Sequence, residues 1–190
     1  MDSTWNEIHR LVQQADQLDA DGRLTIFEFL AQIFSLIPLR DGFPTPAEIE
    51  EHGSLAKAAK KYKAPTEKGW NRWCREKRPF DRTDFSTDRA GVACGPASGV
   101  LVLDVDNPHL FDAWMQEHHP DESLPVTLKV KTGGHGERFH YYFQYPSGGE
   151  QYFCRSVKGI FDIRGIGGPV VCPGSLHPET RKPYVFAEIV

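Results

Sequence analysis

Residues 98–109 read SGVLVLDVDNPH: an apolar run ending in two aspartates, Asp104 and Asp106, with Val105 between them. On a strand, side chains two apart share a face, so both carboxylates point one way while Leu103 and Val105 point the other. Adjacent carboxylates repel unless a cation lies between them. Hard divalent ions that prefer oxygen ligands, Mg²⁺ or Mn²⁺, suit such a pair. The alternative is a strand end whose acids cap a helix starting near Pro108, a task open equally to Asn107. Nucleases, phosphatases and glycosyltransferases use the same two-acid pattern, so it does not name a reaction.

The stretch VKTGGHGERFHYYF, residues 130–143, adds donors. Glycines let backbone N–H groups approach phosphate oxygens closely, and Lys131, Arg138 and His140 add charge or donors beside Gly133 and Gly134. His140 and Tyr142 share one strand face. A plain glycine hairpin would read the same way, and no Walker A pattern is present. In GIFDIRGIGGPVVCPGSLHP, residues 159–178, Asp162 and Arg164 share a face with Ile160. An acid inside an apolar run needs a partner, and the plain reading is an Asp162–Arg164 surface pair of little energetic weight. Ser175 and His177 follow in a tight turn, where they either contact phosphate or sugar or cap the turn.

Upstream, a basic run holds Lys57, Lys60, Lys61, Lys63, Lys68, Arg72, Arg75, Lys77 and Arg78, with Trp70 and Trp73 among them. A solvated face is the plain reading. Interleaved tryptophans in an otherwise acidic chain point to a local nucleic-acid or triphosphate surface, with Lys68, Trp70, Arg72 and Arg75 as its candidates.

These residues need elements to position them. The chain has 190 residues, a net charge of −4 and ordinary apolar content, enough for one full core with a small appendage. The charge excludes a general attraction to nucleic acid. Four dispersed cysteines, Cys74, Cys94, Cys154 and Cys172, form no CxxC pair and fit a reduced, cytosolic protein. The start lacks the pattern of a signal peptide, and no apolar run reaches membrane-spanning length, so a cytoplasmic protein without membrane contact is expected. Helical spacing predicts helices over 4–18 and 25–37, and Thr45 with Pro46 starts another. Short β-rich runs then cover 91–94, 100–105, 126–131, 139–145, 160–164, 169–172 and 183–189, with one helix near 108–119. The reading is α+β: an N-terminal helical segment, 1–40, ahead of an α+β core, 41–190.

Residues 17–28 match much of an EF-hand loop, with Asp19, Asp21, Gly22 and Glu28 in place. The first ligand position is Gln17, and no second hand exists. A helix–turn–helix with Asp21–Gly22 as its turn, and no specific calcium binding, is expected.

In their order, DVD, TGG…H…F, FDIRG and GG-V-CPGSLHP with a final Tyr184 resemble the catalytic domain of the bifunctional DNA primase/polymerases, prim-pol proteins of the archaeo-eukaryotic primase superfamily. KAPTEKGWNRW resembles that family's entry segment. The resemblance covers about residues 60–186. It implies an RRM-like sheet, mixed or antiparallel, flanked by an N-terminal α/β portion. By position it implies a two-metal Mg²⁺ or Mn²⁺ site on Asp104, Asp106 and Asp162, with His140 contacting the triphosphate. Thr132, Arg164, Ser175 and His177 would lie around the nucleotide. The HGER turn before Phe139 departs from the family's shorter glycine turn. The implied partners are a dNTP or NTP, a single-stranded or primed DNA template, and a helicase domain or protein. Two rivals remain: another metal-dependent enzyme with a DxD, or a replication or nucleotide-sensing module that binds without polymerising.

Overall fold

A computed structural model describes residues 3–85 and 87–187. Two antiparallel sheets carry the architecture. The larger has six strands in the order β6-β7-β3-β5-β4-β9. These are β3 (Val100–Val105), β4 (Leu128–Lys131), β5 (Phe139–Gln144), β6 (Arg155–Val157), β7 (Phe161–Arg164) and β9 (Val185–Phe186). The smaller has three, β1 (Leu36–Pro38), β2 (Ala90–Ala93) and β8 (Pro169–Val171), in the order β1-β2-β8. The fold class is α+β, as the composition of elements along the chain predicts.

Each face of the large sheet has its own cover. On one, α1 (Ser3–Gln13) and α2 (Ala20–Ile33) bury Ile8, Val12, Ile26, Phe27 and Leu30 against Val102, Val130, Tyr142 and Phe186, together with Val92 and Val170 of the small sheet. On the other, α5 (Pro108–His118) lays Phe111 and Trp114 over Leu103, Val105 and Phe161. Each apolar side chain so buried contributes roughly 1.5–3 kcal/mol. The alternation of β3 decides which cover each residue meets. Val102 goes to the helical layer and Leu103 to α5, which leaves Asp104 on the first face, beyond the edge of its cover.

Local chemistry fits the remaining elements. Thr45 caps α3 (Pro46–His52) in a reciprocal capping box with Glu48, and Pro46 occupies the first turn. Ser54 caps α4 (Leu55–Ala59), which runs into a 3₁₀ turn at Lys60–Lys63. Asn107 caps α5, its side chain accepting from the Leu110 N–H at 3.2 Å. That leaves Asp106 and Asp104 out of the capping role.

Three expectations need correction. The first helix spans Ser3–Gln13 rather than 4–18. The second helix starts at Ala20 and ends at Ile33 rather than covering 25–37. Leu36–Pro38 instead form a buried edge strand pairing with β2; proline on an edge costs no ladder bond. Asp21–Gly22 is not the turn between the first two helices either; that turn lies over residues 14–19. Asp19 caps α2 by accepting from the Gly22 N–H, and Asp21, Gly22 and Glu28 lie inside the helix. Arg82 pairs with Asp21 at 2.7 Å and Glu28 at 3.2 Å. β6 went unpredicted because its three residues, Arg155–Val157, carry no apolar run. Among the described residues no helix is long and apolar enough to cross a membrane.

Candidate active site

Register builds the site. Asp104 on β3 stands directly opposite Asp162 on β7 and His140 on β5. The row continues through Ser156 on β6 at one end and Val130 and Phe186 at the other. Directly paired residues share a face, so Ser156, Asp162, Asp104, His140, Val130 and Phe186 form one line across the sheet. Its apolar end lies under α1, where Phe186 stacks on His9 and packs against Trp5. Its polar end opens into a cleft of about 440 Å³.

Arginines hold the acids. Arg164 donates to Asp104 Oδ2 at 3.0 Å and to Asp162 Oδ2 at 2.5 Å, both through Nη2, so a single guanidinium nitrogen bridges two carboxylates from neighbouring strands. His140 Nε2 lies 3.4 Å from the other oxygen of Asp104. Arg138 pairs with Asp106 at 3.5 Å. Burial opposes ionisation of Asp104, but His140 and Arg164 outweigh it and hold the carboxyl well below the usual carboxylate range. Asp106 moves the other way, pushed up by burial and by the charge of Asp104. Arg164 keeps its proton more firmly than a free arginine, because Asp104 and Asp162 outweigh its own desolvation.

Thr132, His177 and Tyr184 line the same cleft, with Lys60 and Lys63 across from them. Thr132 Oγ1 and His140 Nδ1 are buried and have no protein partner. Both residues line the cleft, and unsatisfied buried polar atoms of that kind call for a partner the protein does not supply. His177 stacks on Tyr184, and Tyr184 meets His140 at a tilt with centroids 5.7 Å apart, so three rings form a continuous wall. Burial and nearby Lys63 and Arg138 lower the His177 pKa to about 3, so the ring is neutral at physiological pH.

Other expected residues lie elsewhere. Asp162 reaches the cleft only through Arg164 and does not line it. Lys131 alternates onto the opposite side of β4 from Val130 and pairs with Glu137 at 3.6 Å. Ser175 is fully buried, and its hydroxyl exchanges hydrogen bonds with the Ala90 backbone. Gly133 is tightly packed: a Cβ there would stand 2.1 Å from the Lys182 carbonyl oxygen. A Cβ on Gly134 would meet His177 Nε2 at 3.1 Å. These glycines let the 132–134 turn close on the 177–182 segment.

The basic run divides in space. Trp70 and Trp73 pack against a small core containing Ile37, Cys74 and Tyr145. Arg72 lies over Trp73 at 4.2 Å and pairs with Glu67 at 2.9 Å; Arg75 reaches Gln151 at 3.4 Å. Lys68 is exposed. None of these lines the cleft, whereas Lys60 and Lys63 do. In the sequence that pair stands out only as part of the run. Their spacing of three before Ala64–Pro65 is the available signal, because side chains at i and i+3 of a 3₁₀ turn eclipse.

Oxygen chemistry of the three carboxylates suits a hard divalent ion. The Arg164 guanidinium, placed between Asp104 and Asp162, stands where a cation is electrostatically favoured. As the side chains stand, no group of three or more His, Cys, Asp or Glu among the described residues is arranged to enclose a metal.

Comparison with known proteins agrees with this geometry at the level of family. No curated protein matches the chain significantly. A family model for the N-terminal domain of bifunctional DNA primase/polymerases matches residues 27–189, a span holding every strand of both sheets. That family performs nucleotidyl transfer of the primase/polymerase type and is generally dependent on divalent metal. On that match, the chain belongs to the bifunctional DNA primase/polymerase, or Prim-Pol, family.

Proposed function

We propose that this cleft carries out template-directed nucleotidyl transfer, as a DNA polymerase, a primase or both. The observation that carries the reading is the row Asp162–Asp104–His140, set by strand register, with Asp106 two residues beyond Asp104 on the cleft. Asp104, Asp106 and Asp162 would hold Mg²⁺ or Mn²⁺. When bound, such ions lower the pKa of an attacking 3′-hydroxyl and offset charge on the triphosphate.

The remaining work falls to the chain's own side chains. His140 Nδ1 and Thr132 Oγ1, buried and unpartnered, are fixed donors or acceptors for phosphate oxygens. Arg138 and His177 stand beside them. Arg164 neutralises Asp104 and Asp162, and its two-nitrogen hold on Asp104 keeps that carboxylate ionised in a largely buried place. Lys68, Trp70, Arg72 and Arg75 lie away from the cleft and are proposed to meet the template strand.

The bridging arginine favours one alternative, a module that binds nucleotide without polymerising, because it closes the acid pair with a cation of the protein's own. Primer extension with Mg²⁺ and with Mn²⁺ separates the two. Template-dependent incorporation by the wild type, lost in Asp104→Ala, supports the enzyme. Tight nucleotide binding with no incorporation in either metal would move the protein to the binding module.

A further inference from the structure

Facing the acids across the cleft is a pair that the carboxylate chemistry leaves unused. Lys63 Nζ lies 2.8 Å from His177 Nε2. The lysine is carried by the 3₁₀ turn between α4 and β2, the histidine by the turn after β8. Both border the acid-lined cleft and a smaller adjoining one of about 190 Å³, which Gly134 and Arg138 also line. The only hydrogen-bond partner of Lys63 among the described residues is that imidazole. A half-buried ammonium against a neutral ring, with the orphaned Thr132 hydroxyl on the same cavity, lacks its anion.

We propose that Lys63, coupled to His177, grips the β- and γ-phosphates of the incoming nucleotide and passes a proton to the pyrophosphate as it leaves. The proposal rests on the nucleotidyl-transfer reading. In the step, the 3′-oxygen bonds to the α-phosphorus and the bond from that phosphorus to the α,β-bridging oxygen breaks. The electron pair stays on the bridging oxygen, which takes a proton from Lys63 Nζ. The 3′-hydroxyl proton goes to water, and Lys63 is left as a neutral amine that reprotonates from solvent.

Hydrogen bonding makes that loss inexpensive. With the pair charged, the ammonium donates to Nε2, so Nδ1 carries the ring hydrogen and faces the Glu179 N–H donor to donor. With one proton fewer, Nε2–H donates to the amine and Nδ1 accepts from the Glu179 N–H, 3.3 Å away. The second arrangement satisfies both ring nitrogens. The groups facing Lys63 are Glu179, Asp104 and Asp106, which favour its proton, and Arg138, which opposes it; burial outweighs them and lowers its pKa. His177 also feels His135 and Arg89.

Single-turnover incorporation by wild type, Lys63→Arg and Lys63→Ala tests this, using a dNTP and its β,γ-difluoromethylene and β,γ-methylene analogues, whose leaving groups differ in basicity. Arginine keeps the charge but does not release a proton. Lys63→Arg should bind nucleotide within about threefold of wild type yet lose about 100-fold in rate, the usual scale of general-acid catalysis. Its loss should be greatest with the more basic methylene leaving group. Lys63→Ala should lose binding as well. Wild-type rates in Lys63→Arg, or an equal loss for every leaving group, would overturn the proton transfer. The second arm needs no turnover. The NMR signal of labelled Lys63, identified by its absence from Lys63→Arg, should shift when inorganic tripolyphosphate is added without metal, in wild type and in Asp104→Ala alike. An unmoved signal would overturn the grip. An active wild type with an unaffected Lys63→Arg sinks this proposal alone, whereas an inactive wild type sinks the nucleotidyl-transfer reading beneath it.

Discussion

The two walls of the cleft handle charge in opposite ways. On the strand wall each acid already holds a cation: Asp104 and Asp162 share Arg164, and Asp106 has Arg138. On the loop wall, Lys63 is offered only a neutral imidazole. The strand wall is rigid, because register across six strands sets it. The loop wall is assembled from a 3₁₀ turn, the glycine turn and the 177–182 segment, which meet only in tertiary structure. A saturated acid wall suits ligands that exchange one cation for another. An unsaturated basic wall suits an anion arriving from solution.

The sharpest break in that comparison comes from the strand wall. Asp104→Ala should lower incorporation by about a thousandfold or more, about 4 kcal/mol of transition-state stabilisation. Binding of primed template, measured by fluorescence anisotropy, should persist. Parallel loss of both would place Asp104 in the template site instead.

The loop wall breaks by packing. Gly133→Ala drives a Cβ into the Lys182 carbonyl and should cost about 2 kcal/mol, seen as a fall of roughly 5 °C in Tm. Gly134→Ala meets only the edge of the His177 ring and should cost clearly less. Equal costs for the two would mean that the turn does not close on the 177–182 segment as described.

Charge reversal at Arg72 and Arg75 acts outside both walls. The double variant should weaken template binding and flatten its salt dependence by about one unit of slope per lost phosphate contact. The metal-dependent nucleotide response should stay. An unchanged salt slope would return the segment to a solvated face.

The smallest effect is a pH dependence. The His177 pKa is depressed in the folded protein, so the unfolded chain takes up that proton first as pH falls. Its contribution to stability is therefore full above the ordinary histidine pKa of about 6.5 and declines as pH drops toward about 3. Denaturation midpoints between pH 7 and pH 4.5 should fall less steeply in His177→Gln than in wild type. Identical slopes would mean that the ring is not held neutral.

Much of the strand wall is legible in the amino-acid sequence. Period-two alternation puts Asp104 with Asp106, His140 with Tyr142 and Asp162 with Arg164 on shared faces, because strand geometry allows no other arrangement. The Thr45–Glu48 box is equally readable, since capping is settled within four residues. The basic run misleads in part. Composition does not tell that Trp70 and Trp73 are drawn into a core with Ile37 and Tyr145, or that Glu67 collects Arg72 and Arg78.

What the sequence determined by itself is what neighbouring residues decide: strand periodicity, caps, and the presence of three acids and a histidine in an order that marks the family. Tertiary structure alone decided the rest. Only strand pairing sets Asp162 opposite Asp104, and a slip of one residue would have turned it to the other face. Only that pairing places the Arg164 guanidinium between them. Only the folding of residues 60–63 across the cleft brings Lys63 to His177, 114 positions away. Long-range contacts of that kind carry no local signal, because burial and charge pairing select them after the elements have formed.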